Sequence, residues 1–434
     1  MKLIRNVLMA SGKSFKTANV LFDDKIRQVT TGAVDFADIT EDYDFSGCII
    51  MPGAVDMHTH ILNGSADDNT RLKNYSKLAL EGGYTTLGDL SYNTQKPIFR
   101  HSEIQYFEKL INNNSHCDIA LWGHCDFSTF PYHLDYMNEV WSGGVVGFII
   151  MHPSPSQKIE NLAYKDIMDL FDTIYDTDIS FAYQGYDESE PSLSNELKTR
   201  FVEQRLNSIR KILRRLQDNP VHYIGIFDKD TIDVLNIAFR RADITYAYPV
   251  VELMELIERF NVKGYKKDEP LSEFVKLLFD SMKNGKLYTI STETGPSNGT
   301  DSVQNLAFSG YPEKLLKWTV PWAFSELWSK NKVSVQSCIR MLSENPAKRL
   351  GLFPAKGAII KGSDADITII DPEKPVKTDL VDSKGNKVTL SCSVKATFLR
   401  GELHQSAKSK PALQGRFIRR TGTTRRKSSS TCWT

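Results

Sequence analysis

Between about residues 54 and 350 the chain alternates short apolar runs with longer stretches of helical period, and few architectures accommodate such a pattern. The runs lie at 84–89, 118–122, 145–151, 179–183, 221–227 and 287–292. The stretches at 69–81, 164–175, 196–216 and 271–284 carry their apolar residues at three- to four-residue spacing. Strands that alternate with helices pair in parallel. Some 290 residues of this texture exceed an ordinary doubly wound domain and suit an eightfold barrel. In that arrangement the C-terminal strand ends gather at one mouth, where any chemistry is expected.

The two ends of the chain read differently. Residues 1–52 and 352–418 are short strands separated by Gly-Ser-Asp and Asp-Pro turns, without helical period. The expected fold class is therefore α/β: a TIM-like (β/α)8 barrel over 53–351 with a small β-sandwich domain built from both chain ends, 1–52 and 352–418. Residues 419–434 hold Arg419, Arg420, Arg425, Arg426, Lys427 and a serine run, and are expected to be a mobile, solvated basic tail. A solvated tail outweighs a nucleic-acid role, which nothing in the fold pattern supports.

With a formal charge of +1, 41% hydrophobic and 25% charged residues, the balance gives no sign of an acidic or polyanionic partner. Cys48, Cys117, Cys125, Cys338, Cys392 and Cys432 are scattered without a Cys-x-x-Cys pair, the pattern of reduced thiols in the cytoplasm. No apolar run approaches the eighteen residues of a membrane span. A cytoplasmic, membrane-free protein is expected.

The stretch Gly47-Cys48-Ile49-Ile50-Met51-Pro52-Gly53-Ala54-Val55-Asp56-Met57-His58-Thr59-His60 ends in two histidines one residue apart. On a strand, His58 and His60 project to one face, which makes half a metal site. Four further motifs follow in order: Asp44-Phe45-Ser46-Gly47 just before it, then Gly82-Gly83-Tyr84-Thr85-Thr86, Glu344-Asn345-Pro346-Ala347-Lys348 and Lys361-Gly362-Ser363-Asp364-Ala365-Asp366-Ile367. Together they resemble the amidohydrolase superfamily, most of all its cyclic-amide branch of dihydropyrimidinase, hydantoinase, allantoinase and dihydroorotase.

The resemblance implies two divalent metals, usually zinc, bridged by a carboxylated lysine and a hydroxide that attacks a ring amide while an aspartate carries the proton. It implies ligands from the first barrel strand (His-x-His), the fourth (lysine), the fifth and sixth (one histidine each) and the eighth (aspartate). Matched residue by residue, His58 and His60 survive, but Ile149 stands at the lysine, Gln184 and Gly225 at the two histidines, and Glu293 at the aspartate. The neighbouring His222, three residues before Gly225, is an odd number away and is expected on the opposite face of its strand. His124, Asp126 and His152, at the ends of the third and fourth strands, are further polar candidates near the mouth, more simply read as strand-end polar residues.

Two readings stay open from these residues. In one, the chain is a catalytically impaired or inactive member of the resembled group that serves as a scaffold, regulator or subunit of an assembly. In the other, it hydrolyses a cyclic amide or other non-peptide C–N bond through a rebuilt site, with His58, His60 and Glu293 sharing one divalent ion such as zinc and Glu293 at the proton-shuttle position. Neither reading keeps a binuclear centre. A homo-oligomer is expected from the resemblance, and a small cyclic amide is the substrate class if the protein is active.

Overall fold

In the computed structural model, residues 1–12, 14–34, 38–91, 94–126, 133–154, 156–173, 177–187, 197–215, 219–261, 269–294, 312–404 and 413–425 are described. The barrel strands are, in order, Ala54–Thr59, Tyr84–Asp89, Asp118–Leu121 with its continuation Gly123–His124, Phe148–His152, Phe181–Gly185, Val221–Tyr223, Ile244–Pro249 and Thr289–Ser291. All pair in parallel, as strands joined through helices must. The third strand is interrupted at Trp122, and the backbone bonds Val146 N–H to Leu121 O (2.9 Å) and Gly123 N–H to Gly147 O (2.8 Å) carry the ladder across the break. A parallel bridge between Thr59 and Thr294, with His60 N–H donating to Thr294 O at 2.7 Å, joins first strand to last and closes the barrel.

The outer helices follow from sequence periodicity. In His101–Asn114 the residues Ile104, Phe107 and Ile111 recur at three- to four-residue spacing and all are buried, while Glu103 accepts from the Arg100 backbone N–H at 2.8 Å to fix the start. Helix Lys229–Ala238 starts at Asp228, whose side chain accepts from Thr231 N–H at 2.8 Å. The strand Ile244–Pro249 was not anticipated from the sequence. It runs directly into helix Val250–Asn261 with no turn residues between them to mark its end.

Strands from both chain ends share one eight-stranded sheet, in which Ile49–Pro52 pairs in parallel with Lys2–Ser11 and antiparallel with Ile367–Asp371. The chain then passes from this sheet into the first barrel strand at Gly53. A Cβ there would lie 2.2 Å from Thr85 Oγ1, so the two strands meet at a distance that only glycine allows. Buried charges join the two parts. Lys356, 4% exposed, contacts Asp118 of the barrel and Asp364 and Asp366 beside the sheet, and Arg400 also reaches Asp118 at 2.5 Å.

The expectation of a mobile tail from residue 419 onward does not hold through Arg425. Arg419 pairs with Glu108 at 3.1 Å, Arg420 lies 3.5 Å from the Trp141 ring centroid, and Thr424, almost fully buried, donates to Asp178 O at 2.7 Å. Guanidinium stacking and backbone hydrogen bonds hold this segment to the barrel without the apolar periodicity that marks a packed element in sequence. Residues 426–434 lie outside the described residues. No described helix is long and apolar enough to cross a membrane.

Candidate functional site

At the mouth of the first and eighth strands, the side chains of His58, His60 and Glu293 lie together. His58 Nδ1 lies 3.1 Å from Glu293 Oε1 and His60 Nε2 lies 3.4 Å from Glu293 Oε2, so one carboxylate spans both imidazoles. Burial opposes the charge on Glu293, but His58 and His60 together hold its carboxyl well below the usual range. Ser291 Oγ donates to the same carboxylate at 2.6 Å. Glu293 has a φ of 52°, a left-handed backbone that costs a non-glycine residue roughly 1–2 kcal/mol and that collects at functional sites.

Two buried aspartates fix this segment. Asp56 accepts from His58 N–H at 2.9 Å and from Thr292 N–H at 3.1 Å, tying first strand to eighth directly below the histidines. Asp89 accepts from Thr59 Oγ1 at 2.9 Å and Ile61 N–H at 2.8 Å, steadying the chain on either side of His60. Burial pushes both carboxyls up to about 6, with these hydrogen bonds resisting the rise. Their positions were visible in the sequence, whereas their positioning role was not, because it depends on which backbone N–H groups turn toward them.

The other expected ligand positions provide none. Ile149 is 3% exposed and belongs with Met57, Trp122, Val146, Ala182 and Ile224 to an apolar cluster inside the barrel. Gly225 has a φ of 65°, and a Cβ there would meet the Gln184 side chain at 2.8 Å. The Gln184 amide thus occupies the space that a side chain from position 225 would need. A neutral amide is a poor zinc ligand, and an isoleucine cannot carry a bridging carbamate. The residues present do not fit a binuclear centre.

One expectation is corrected here. His222 does not turn away from the site: its ring centroid lies 4.9 Å from that of His58. Strand parity fails because the sixth strand ends at Tyr223 and the backbone turns left-handed at Gly225, so counting back from 225 crosses a break in register. Burial depresses the His222 imidazole well below its usual value, and nearby His58 and Arg349 reinforce this. The alternating order of His222, Tyr223 and Ile224 within an assumed shorter strand was the available signal.

His124 and His152 sit at the third and fourth strand ends. His124 is buried and accepts from Ile98 N–H at 3.0 Å through Nδ1, and burial lowers it to about 4, as for a structural core histidine. Asp126 accepts from Glu160 N–H at 3.2 Å and braces the loop after the fourth strand. Among the described residues no three His, Cys, Asp or Glu side chains are gathered as a metal-binding group.

Residues 49–404 match the amidohydrolase family. The chain belongs to the amidohydrolase family. A dihydroorotase from Thermoanaerobacter sp. is 25% identical over 433 residues, covering 92% of this chain and 96% of that one. An L-hydantoinase from Paenarthrobacter aurescens is 20% identical over 403 residues, 87% of each chain. Among solved structures, the L-hydantoinase (dihydropyrimidinase) from Arthrobacter aurescens superposes with a TM-score of 0.79 at 19% identity, covering 96% of this chain and 99% of that one. This amidohydrolase therefore has the TIM-like barrel of its relatives, with strands from both chain ends in an accompanying sheet.

Proposed function

We propose that this amidohydrolase has lost the two-metal hydrolysis of cyclic amides and works through binding or assembly. The carrying observation is Ile149, an apolar, buried residue inside the barrel where the resemblance calls for a metal-bridging lysine. Gln184 and Gly225 support the same reading, since each fills or vacates the place of a ligand. The division into a composite domain, 1–52 with 352–418, and a barrel, 53–351, belongs to this proposal, as do a homo-oligomeric state and a cytoplasmic location. The test is metal content after purification without chelator, combined with hydrolysis assays on hydantoin, dihydrouracil, allantoin and dihydroorotate. We expect no turnover and at most one ion per chain; two ions per chain with turnover of any of these overturns the reading.

A second reading is favoured by one observation, the convergence of His58, His60 and Glu293. A rebuilt site with one divalent ion could then hydrolyse a small cyclic amide, with Glu293 as ligand or proton carrier. His58→Ala and Glu293→Gln would each abolish turnover found in that screen, and activity that survives both excludes it.

A further inference from the structure

A formal charge of +1 averages over a chain that segregates its charges, and helix Leu197–Arg215 on the outer wall of the barrel is where basic residues gather. Its sequence carries seven Lys or Arg residues against a single Glu. Ile209 and Ile212 turn into the barrel wall, while Arg200, Arg210 and Arg214 are exposed on the other side, along about 21 Å of helix. Arg240 and Arg241 follow the end of the neighbouring helix Lys229–Ala238 and are exposed as well. Both helices join consecutive parallel strands, so these two arginines lie at the same end of the barrel as Arg214. None of the five side chains is paired with a carboxylate among the described residues. The acids close by are held by other cations: Asp187 by Lys211 at 2.5 Å, Asp228 by Arg205 at 2.9 Å and Asp233 by Lys229 at 3.7 Å.

Helix stability does not account for this distribution. A cation near a helix C-terminus complements the dipole, which covers Arg214, but Arg200 stands in the first turn, where a cation is unfavourable and no acidic residue offsets it. Next to it the ridge meets aromatic rings. Phe201 and Phe227 are 43% and 41% exposed. The Tyr186 ring centroid lies 5.6 Å from that of Phe201, and the buried Arg205 guanidinium lies over both Tyr186 (5.2 Å) and Phe227 (4.4 Å). Guanidinium forks match phosphate oxygens, and open aromatic faces give unpaired bases a surface to stack on. A lipid surface is a poorer match: beyond Phe201 no apolar residue of this helix is exposed, because its apolar side is buried in the barrel wall.

We infer that this ridge binds single-stranded nucleic acid, with phosphates on Arg200, Arg210, Arg214, Arg240 and Arg241 and bases on Phe201 and Phe227. The surface lies on the outer wall of the barrel, so the inference stands whether or not the altered ligand positions at the mouth retain hydrolysis.

Fluorescence anisotropy of labelled oligo-uridine and oligo-thymidine of about 20 nucleotides, titrated with the full-length protein, reads this binding. Both should bind at about 50 mM salt, and roughly three to five phosphate contacts should make binding about 20- to 130-fold weaker at about 200 mM. Arg210→Glu combined with Arg214→Glu should weaken binding at least about tenfold and flatten the salt dependence. Phe201→Ala should weaken it about fivefold or more and leave the salt dependence as it is. Lys73→Glu combined with Lys77→Glu makes the same change of charge on helix Asp68–Glu81, across the barrel, and should bind as wild type. Removal of residues 426–434 should leave most of the binding in place. No binding by wild type at low salt, unchanged affinity in the paired arginine variant or in Phe201→Ala, or equal losses in the two charge-reversed pairs overturns the inference. Loss with the tail but not with the paired arginine variant also overturns it. Capture by vesicles of acidic phospholipid in place of either oligonucleotide does the same, in favour of a membrane surface.

Discussion

Replacing Lys356 with methionine measures how far the barrel and the composite sheet depend on one buried charge. The ammonium lies 2.6 Å from Asp118 Oδ2, 2.6 Å from Asp366 Oδ2 and 2.8 Å from Asp364 Oδ2. Without it, Asp118 retains Arg400 at 2.5 Å and Asp364 retains Lys25. Asp366 is left with the Arg400 backbone N–H at 2.8 Å and no cation in direct contact among the described residues. Removing one partner of a buried ion pair costs about 3–5 kcal/mol, mostly as the penalty on the charge left behind. Burial already pushes the Asp366 carboxyl up, with Lys356 opposing, so in the variant this group takes a proton more readily and the penalty shrinks in acid. Urea unfolding followed by circular dichroism should show a first transition weakened by about 3–5 kcal/mol at pH 7 and by less at pH 5. Asp366→Asn in the same background should recover part of the loss. A loss below about 1 kcal/mol, or no recovery with Asp366→Asn, would refute the reasoning.

Gly53→Ala should destabilise the protein by about 1–3 kcal/mol or more, read by thermal unfolding, because the new methyl would lie 2.2 Å from Thr85 Oγ1 and the strand crossing has no slack. An unchanged melting temperature would mean that the crossing relaxes. For pH, burial holds His124 at about 4, below its ordinary 6.5, so its contribution is complete above pH 6.5 and is lost as pH falls toward 4. His124→Asn lacks this loss, so its stability deficit against wild type should narrow by roughly 3 kcal/mol between pH 7 and pH 4. Asp56 and Asp89 act in the opposite sense: raised to about 6, they weaken the fold above that pH and cease to do so on acidification. Wild type should therefore show a shallower acid slope than its histidines alone would give.

Much of the fold was legible in the sequence because parallel barrel strands are short apolar runs bounded by amphipathic helices, and both signals are local. The seventh strand escaped because Pro249 leads straight into a helix, and the anchored segment 419–425 escaped because arginine stacking leaves no period. At the site, His58, His60 and Glu293 were legible because ordered motifs fix their strands. His222 was not, since a register count is only as good as the strand end it starts from, and that end lies at Tyr223. Its hydrogen-bond partner Thr245 was out of reach for a plainer reason: the contact depends on the neighbouring strand, which pairs Thr245 with His222 across the ladder.

The fit of Gln184 against Gly225 constrains how this barrel can change. A histidine at 225 would need to displace an amide whose Cδ lies 2.8 Å from its Cβ and to accept a backbone with φ of 65° that suits glycine. Shortening Gln184 alone would open a hole with nothing to fill it. Each single substitution is thus unfavourable by itself, while the pair together could be tolerated, so a ligand at this position is separated from the present sequence by a valley rather than a slope. Any side chain added at position 225 therefore depends on a second change at Gln184.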